Sequence, residues 1–158
     1  METAPQLAAR LRNLLLDGKW IANTNYQEQL ADLNWEEATQ KVSSLNTLAG
    51  LTFHVGYYLA GLNQVFAGGE LTIRDKYSYD CPPIRSQQDW EELRQGFIAD
   101  AEQFVQHVEE MSNEQLASPF VMEQYGDFRR NIEGVIEHAY YHFGQIVIIK
   151  KMIREAAA

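Results

Sequence analysis

Apolar residues recur every three or four positions over four stretches of the chain, which is the spacing of one face of a helix. The first stretch carries four leucines at this spacing: Leu7, Leu11, Leu14 and Leu15. It ends near Gly18, because glycine favours helix termini. The polar residues that follow, up to Tyr26, suit either a turn or a second short piece of the same helix.

The second stretch begins at Asn34, which stands three residues before Glu37 in the arrangement of a capping box. Its apolar positions continue at helical spacing until Gly68 and Gly69, so one long helix is expected, with a kink near Gly50 left open. Residues 70–83 have no helical period and end in two prolines, which predicts a long loop.

The third and fourth stretches have clearer beginnings. Ser86 followed by Asp89 predicts a cap and then a helix of about six turns. Phe120–Met122 forms a short apolar patch that suggests a small extended ribbon. A last helix is expected from about Phe128, with cations near its end that complement the helix dipole: Lys150, Lys151 and Arg154.

No run of alternating apolar and polar residues predicts a strand, so the four amphipathic helices must bury their apolar faces against one another. The sequence therefore predicts an all-α fold, a four-helix bundle with a long loop between helices 2 and 3. With 158 residues, 46% of them hydrophobic, residues 1–158 are expected to form a single domain with one core.

Charge and cysteine content narrow the classes of function. Thirteen Lys and Arg against 22 Asp and Glu give a formal charge of -9, which repels nucleic acids and anionic membranes. The N-terminus lacks the pattern of a secretory signal, and polar residues interrupt the most apolar stretch, Leu45–Gly69. The single cysteine, Cys81, excludes an internal disulfide framework. These features predict a cytoplasmic protein without nucleic-acid or membrane partners.

The histidines carry the strongest candidate chemistry. His138 and His142 are four residues apart in the most regular helix, so their rings lie about 40° apart on one face and can share one ion. Two solvated imidazoles are the alternative interpretation. His54 lies in the other strongly apolar segment, and a bundle can bring it across to form an open, three-imidazole site. His107 is a weaker candidate for a fourth ligand.

Several short motifs extend this pattern along the chain. They are Asn46 with His54 eight residues later, Glu137-His138, His142, Gly144-Gln145, Gly18-Lys19-Trp20 and Tyr125-Gly126. In these residues the chain resembles the DinB-like (damage-inducible protein) superfamily of metal-binding four-helix bundles. The resemblance implies a divalent metal, most often nickel or zinc, held by His54, His138 and His142. It also implies a homodimer. Relatives include transferases and isomerases that use low-molecular-weight thiols, hydrolase-like proteins, and many without an assigned reaction.

Helix phase gives candidates for roles around the metal. Gln145 lies about 20° from the direction of His138 and is expected to position a water or substrate. Tyr58 and Tyr141 are weaker candidates for lining a pocket, since core packing is the commoner fate of such tyrosines. Glu137 points about 100° away from His138, which favours a solvated or salt-bridging acid. Asn46, about 80° from His54, is expected to form a hydrogen bond between packed helices.

Cys81 has no cation beside it in sequence, so an ordinary loop thiol is expected. The favoured hypothesis is a metal-dependent enzyme that acts on a small molecule by thiol transfer, isomerisation or hydrolysis. A non-catalytic bundle that binds metal or another ligand, or serves a structural role, is the main alternative. An acidic adaptor that docks partner proteins through its helix faces is the third.

Overall fold

The computed structural model of the protein describes residues 1–158 and contains helices but no strands. The prediction of an all-α fold is thereby confirmed. Four of the helices have 12 residues or more, and three are short. In chain order they are α1 (Ala4–Leu15), α2 (Tyr26–Ala31), α3 (Trp35–Thr39), α4 (Leu48–Phe66), α5 (Gln87–Glu109), α6 (Asn113–Leu116) and α7 (Phe128–Ala157).

The two longest helices begin where a side chain caps them. The Ser86 hydroxyl accepts from the amide of Asp89 at the start of α5, as the sequence predicts. The Asp127 carboxylate accepts from the amide of Arg130 at the start of α7. These caps satisfy amides that have no partner inside the helix, and so they fix both boundaries.

The second predicted segment is not one helix, and this part of the sequence prediction is wrong. After α3, Gln40 adopts extended backbone angles and Ser43 has a φ of 50°. A new helix then begins at Leu48, where the hydroxyl of Thr47 accepts from the amide of Gly50. Residues 40–46 are mostly exposed, so little core contact favours a helix there. Gly50 lies in the first turn of α4 and not at a kink.

The residues after Gly18 form a turn and then α2. Of the two interpretations left open for this region, the turn is therefore present, and no second piece of α1 follows it. Ala22 and Asn23 both adopt left-handed backbone angles in that turn. The expected ribbon at Phe120–Met122 is reduced to one isolated bridge, between Pro119 and Asp127, because a 3-10 turn follows at once. The segment 67–86, between α4 and α5, contains a single 3-10 turn.

The core is one cluster of 35 buried hydrophobic residues to which all seven helices contribute. Helix α5 packs against α1 and α4, and α4 also packs against α7. Tyr26 of α2 lies between the rings of Phe97 and Phe143, and its hydroxyl donates to the carbonyl oxygen of Ala139 at 2.7 Å. The short helix is therefore fixed to α7 by both packing and a buried hydrogen bond.

The C-terminal cations have a tertiary role that helix-dipole complementarity does not describe. Lys150 is 8% exposed, and its Nζ donates to the carbonyl of Gln29 and to Asp32, each at 2.6 Å. Arg154 pairs with Asp32 and Glu37. Because α7 continues to Ala157, Lys150 lies well before its end. These cations therefore bind α2 and α3 to α7.

None of the helices has the length and apolar character that crossing a membrane requires.

Candidate metal centre

Three imidazole rings meet where α4 packs against α7. The Nε2 atom of His138 lies 3.0 Å from Nε2 of His54 and 3.0 Å from Nε2 of His142. All three ligand atoms lie within 4.8 Å of one another. The structure thus brings together the three residues that the sequence analysis selected, with the same nitrogen of each ring facing one point.

The helices themselves create this convergence. His138 and His142 are one turn apart on α7, so their rings project from the same face. His54 lies on the facing side of α4 and is 6% exposed, while His142 is 5% exposed. His138 is half-buried. Regular helices hold all three side chains, which suits a preorganised site.

Hydrogen bonds at Nδ1 fix the tautomer of two rings. Nδ1 of His54 donates to the carbonyl oxygen of Ser78 at 3.2 Å, and Nδ1 of His142 donates to Oε1 of Gln145 at 2.9 Å. Both acceptors lack a proton, so each neutral ring carries its hydrogen on Nδ1 and presents a lone pair at Nε2. Carbonyl partners of this kind are typical of histidines that bind metals.

The remaining geometry fits one divalent ion. The lone pairs at Nε2 of His54 and His142 both face Nε2 of His138. A single hydrogen on that nitrogen cannot point at both of them. A cation, in contrast, can bind all three nitrogens. Ligands about 2.1 Å from a metal and at right angles are about 3.0 Å apart. The two Nε2 separations match that value. The three residues are therefore close enough to bind a single ion.

The local environment favours the neutral form of two of the rings, those of His138 and His54. Burial, with smaller effects of His142 and His54, lowers the pKa of His138 from 6.5 to about 4. Burial also lowers the pKa of His54. The charge of Asp75 opposes this effect on His54 but is a smaller cause than burial. At neutral pH the rings of His54 and His138 are thus in the neutral state that binds metal.

Residues of the segment 67–86 support His54 from outside the helix pair. The ring of Tyr79 stacks on His54 with centroids 3.9 Å apart and an interplanar angle of 10°. Tyr58 of α4 contacts His54 and His138 edge-on, and its hydroxyl donates to Asp75 at 3.0 Å. Together with the Ser78 carbonyl, these contacts restrict rotation of the His54 ring.

A cavity of about 400 Å³ opens beside His138. Its wall is mainly apolar. The polar residues that line it include Tyr58, Asp75 and Arg130. The volume lies in the range of small-molecule sites. Tyr58 therefore lines a pocket next to the histidines, as the sequence analysis suggested for it.

The other two candidates for roles around the metal occupy different places. Oε1 of Gln145 accepts a hydrogen bond from the outer nitrogen of His142, so this oxygen orients a candidate ligand. Tyr141 is 67% exposed and contacts the edge of the His142 ring, with centroids 4.9 Å apart. It is not among the residues that line the cavity beside His138.

Four further residues lie outside the histidine cluster. His107 lies 3.3 Å through Nδ1 from Oδ1 of Asn63 and is not a fourth ligand. Asn46 is exposed before α4 begins, so the expected hydrogen bond between helices is wrong. Glu137 is exposed, which agrees with a solvated acid. Burial raises the pKa of the Cys81 thiol, which disfavours a reactive thiolate.

Sequence reasoning missed Asp75, Ser78, Tyr79 and Arg130. The first three lie in a segment without helical period, and Ser78 contributes a backbone carbonyl that any residue type supplies. Arg130 lies in the first turn of α7, where a cation carries no local signal for a cavity. Only the tertiary arrangement shows their relationship to the histidines.

Comparison with protein-family models matches the DinB superfamily over residues 21–146. Comparisons with curated proteins and with solved structures gave no match. The matched segment covers most of the chain and includes His54, His138 and His142. The family that the sequence motifs indicate is therefore confirmed, and the chain belongs to the DinB superfamily.

Proposed function

We propose that the protein binds one divalent metal ion through Nε2 of His54, His138 and His142. The observation that carries this proposal is the convergence of the three Nε2 atoms, two of which are held free of hydrogen by bonds at Nδ1. Without a cation, the lone pairs at Nε2 of His54 and His142 both face Nε2 of His138. Binding of a cation removes that conflict.

We propose nickel or zinc as the metal. Imidazole nitrogen suits both ions, and three protein ligands leave further coordination positions open. A site of this kind differs from a closed structural site, which has four protein ligands. The exposed side of half-buried His138 faces the cavity, so the open positions are accessible to a small molecule.

We further propose that the metal-bound protein is an enzyme that acts on a small molecule, by thiol transfer, isomerisation or hydrolysis. A divalent metal supplies a Lewis acid at such a site. The apolar wall of the cavity excludes water from one side of the substrate. The Tyr58 hydroxyl, oriented by its hydrogen bond to Asp75, offers a polar contact beside His138.

A non-catalytic metal-binding protein is the second candidate. It is favoured by the composition of the cluster, which contains no carboxylate or thiol that would serve as a base or nucleophile. The raised pKa of Cys81, the single thiol of the chain, disfavours that role for it. Under this proposal the open positions serve binding or storage of a ligand.

Turnover by the metal-loaded protein separates the two candidates. Nickel- and zinc-loaded protein is assayed with panels of thiol acceptors, isomerisable small molecules and esters. Activity that is lost in His54→Ala and kept in His107→Gln supports the enzyme, because His107 lies outside the cluster. Stoichiometric metal without turnover on any panel supports the non-catalytic candidate.

The homodimer that the family resemblance implies is also a proposal. Tyr141, Ile148 and Met152 are exposed apolar side chains on α7, spaced by seven and four residues and thus on one face. Such a stripe is suited to a contact between two copies. Light scattering of the wild type and of Ile148→Glu tests it, with a monomeric variant expected.

A further inference from the structure

The cavity beside His138 runs along α7 toward its first turn. Arg130 and His138 both line it and are eight residues apart, which corresponds to about 12 Å along a helix axis. The wall between them includes Leu71, Ile73 and Phe120. The cavity thus has an inner end at the histidines, an apolar middle and a cation toward its other end.

Arg130 has no partner inside the protein. Its side chain takes part in none of the salt bridges and donates no hydrogen bond, although its backbone amide is bonded to Asp127. A Cβ atom at Gly126 would lie 2.9 Å from Cδ of Arg130. The exposed side chain therefore packs along the bare backbone of Gly126, and its five N–H donors have no partner in the protein and face solvent.

The opposite charge lies near the histidines. Asp75 lines the same cavity and accepts from Tyr58, whose ring contacts His54 and His138. A carboxylate on a bound molecule is repelled by Asp75 and attracted by Arg130. In the metal-free protein the two charges therefore favour one orientation, with the anionic end of the molecule away from Asp75.

We infer that Arg130 forms an anion-binding subsite, and that the cavity takes small carboxylates with an apolar body whose uncharged end is directed toward the histidines. The inference rests on the proposed function in one respect: it takes these carboxylates to be the substrates of the metal site. The guanidinium group recognises a carboxylate through paired N–H donors, and the apolar wall contacts the body. Arg130 is thus a specificity-determining residue.

Hydrocinnamate and its uncharged amide test this inference, because they share one shape and differ in charge. Binding is measured by chemical-shift titration of metal-free and zinc-loaded protein. We expect hydrocinnamate to bind up to about fivefold more tightly than the amide, which is the upper range for an ion pair at an exposed side chain. Arg130→Gln abolishes this preference, and Lys151→Gln, which removes an exposed cation that does not line this cavity, keeps it.

Three results would overturn the subsite: equal binding of the two probes to the wild type, no saturable shifts with either, or a preference that survives Arg130→Gln. A preference for hydrocinnamate that appears only with zinc and survives Arg130→Gln also overturns the subsite, because the carboxylate then binds the metal. Failure of the metal site can be distinguished from failure of the anion-binding subsite. Protein that binds no zinc but shows the Arg130-dependent preference supports the subsite and rejects the proposed metal function.

Discussion

Gln145 holds the outer nitrogen of His142: its Oε1 lies 2.9 Å from Nδ1 of that ring. The two residues are three positions apart on α7, so one helix supplies both a candidate ligand and the group that orients it. The bond directs Nε2 of His142 toward His138. Through this contact Gln145 is expected to act on metal affinity while remaining outside the coordination sphere.

Replacing Gln145 by leucine tests that role. The variant loses the acceptor for Nδ1 of His142, so the ring can rotate or carry its hydrogen on Nε2. We expect zinc affinity to fall about 10- to 100-fold, measured by competition with a chelator of known affinity. Gln145→Glu keeps an acceptor at the same place and is expected to retain binding.

Glu137→Ala is the matched control, because Glu137 is exposed on α7 beside His138 in sequence. It should leave zinc affinity unchanged. An equal loss in Gln145→Leu and Glu137→Ala would mean that the stability of the helix, and not the orientation of His142, sets the affinity.

The lowered pKa of His138 predicts how the stability of the metal-free protein depends on pH. Above pH 6.5 the ring is neutral in both the folded and the unfolded chain; between pH 6.5 and about pH 4 only the unfolded chain binds the proton. Stability is therefore lost as the pH decreases through this window. Because the ring is half-buried, we expect the free energy of unfolding to fall by about 1–2 kcal/mol.

Urea denaturation between pH 4 and pH 7 measures this effect. His138→Gln removes the titrating group and should show a shallower dependence on pH than the wild type. An identical slope in the wild type and His138→Gln would show that burial does not depress the pKa of His138.

Replacing Lys150, which lies far from the histidines, is expected to have a large effect on the stability of the fold. Lys150→Ala leaves the carbonyl of Gln29 and the carboxylate of Asp32 without this donor. We expect the free energy of unfolding to decrease by about 2 kcal/mol. Lys151→Ala, an exposed neighbour, should change it by less than about 0.5 kcal/mol. Similar values for the two variants in urea denaturation would contradict a tertiary role of Lys150.

The fold was predictable where local signals agree with one another. Helix α5 starts at the cap formed by Ser86 and Asp89, and α7 follows an uninterrupted apolar period from Phe128. The break between α3 and α4 was not predictable in the same way. No glycine or proline marks residues 40–46, and the left-handed conformation of Ser43 has no signature in the sequence.

The candidate site likewise has a part that the sequence predicts and a part that it does not. The spacing of His138 and His142 follows from helix geometry, and the position of His54 follows once two apolar helices are packed together. The contacts that fix His54 do not follow from sequence. The Ser78 carbonyl and the Tyr79 ring come from an irregular segment whose path depends on tertiary packing.

Metal content tests the central claim most directly. Untagged wild-type protein and the variants His54→Ala, His138→Ala and His142→Ala are exposed to nickel or zinc, dialysed and analysed for bound metal per chain. We expect about one ion per chain in the wild type and a loss of that ion in each of the three variants. A wild type that cannot be loaded, or a full equivalent of metal in His138→Ala, would contradict the account.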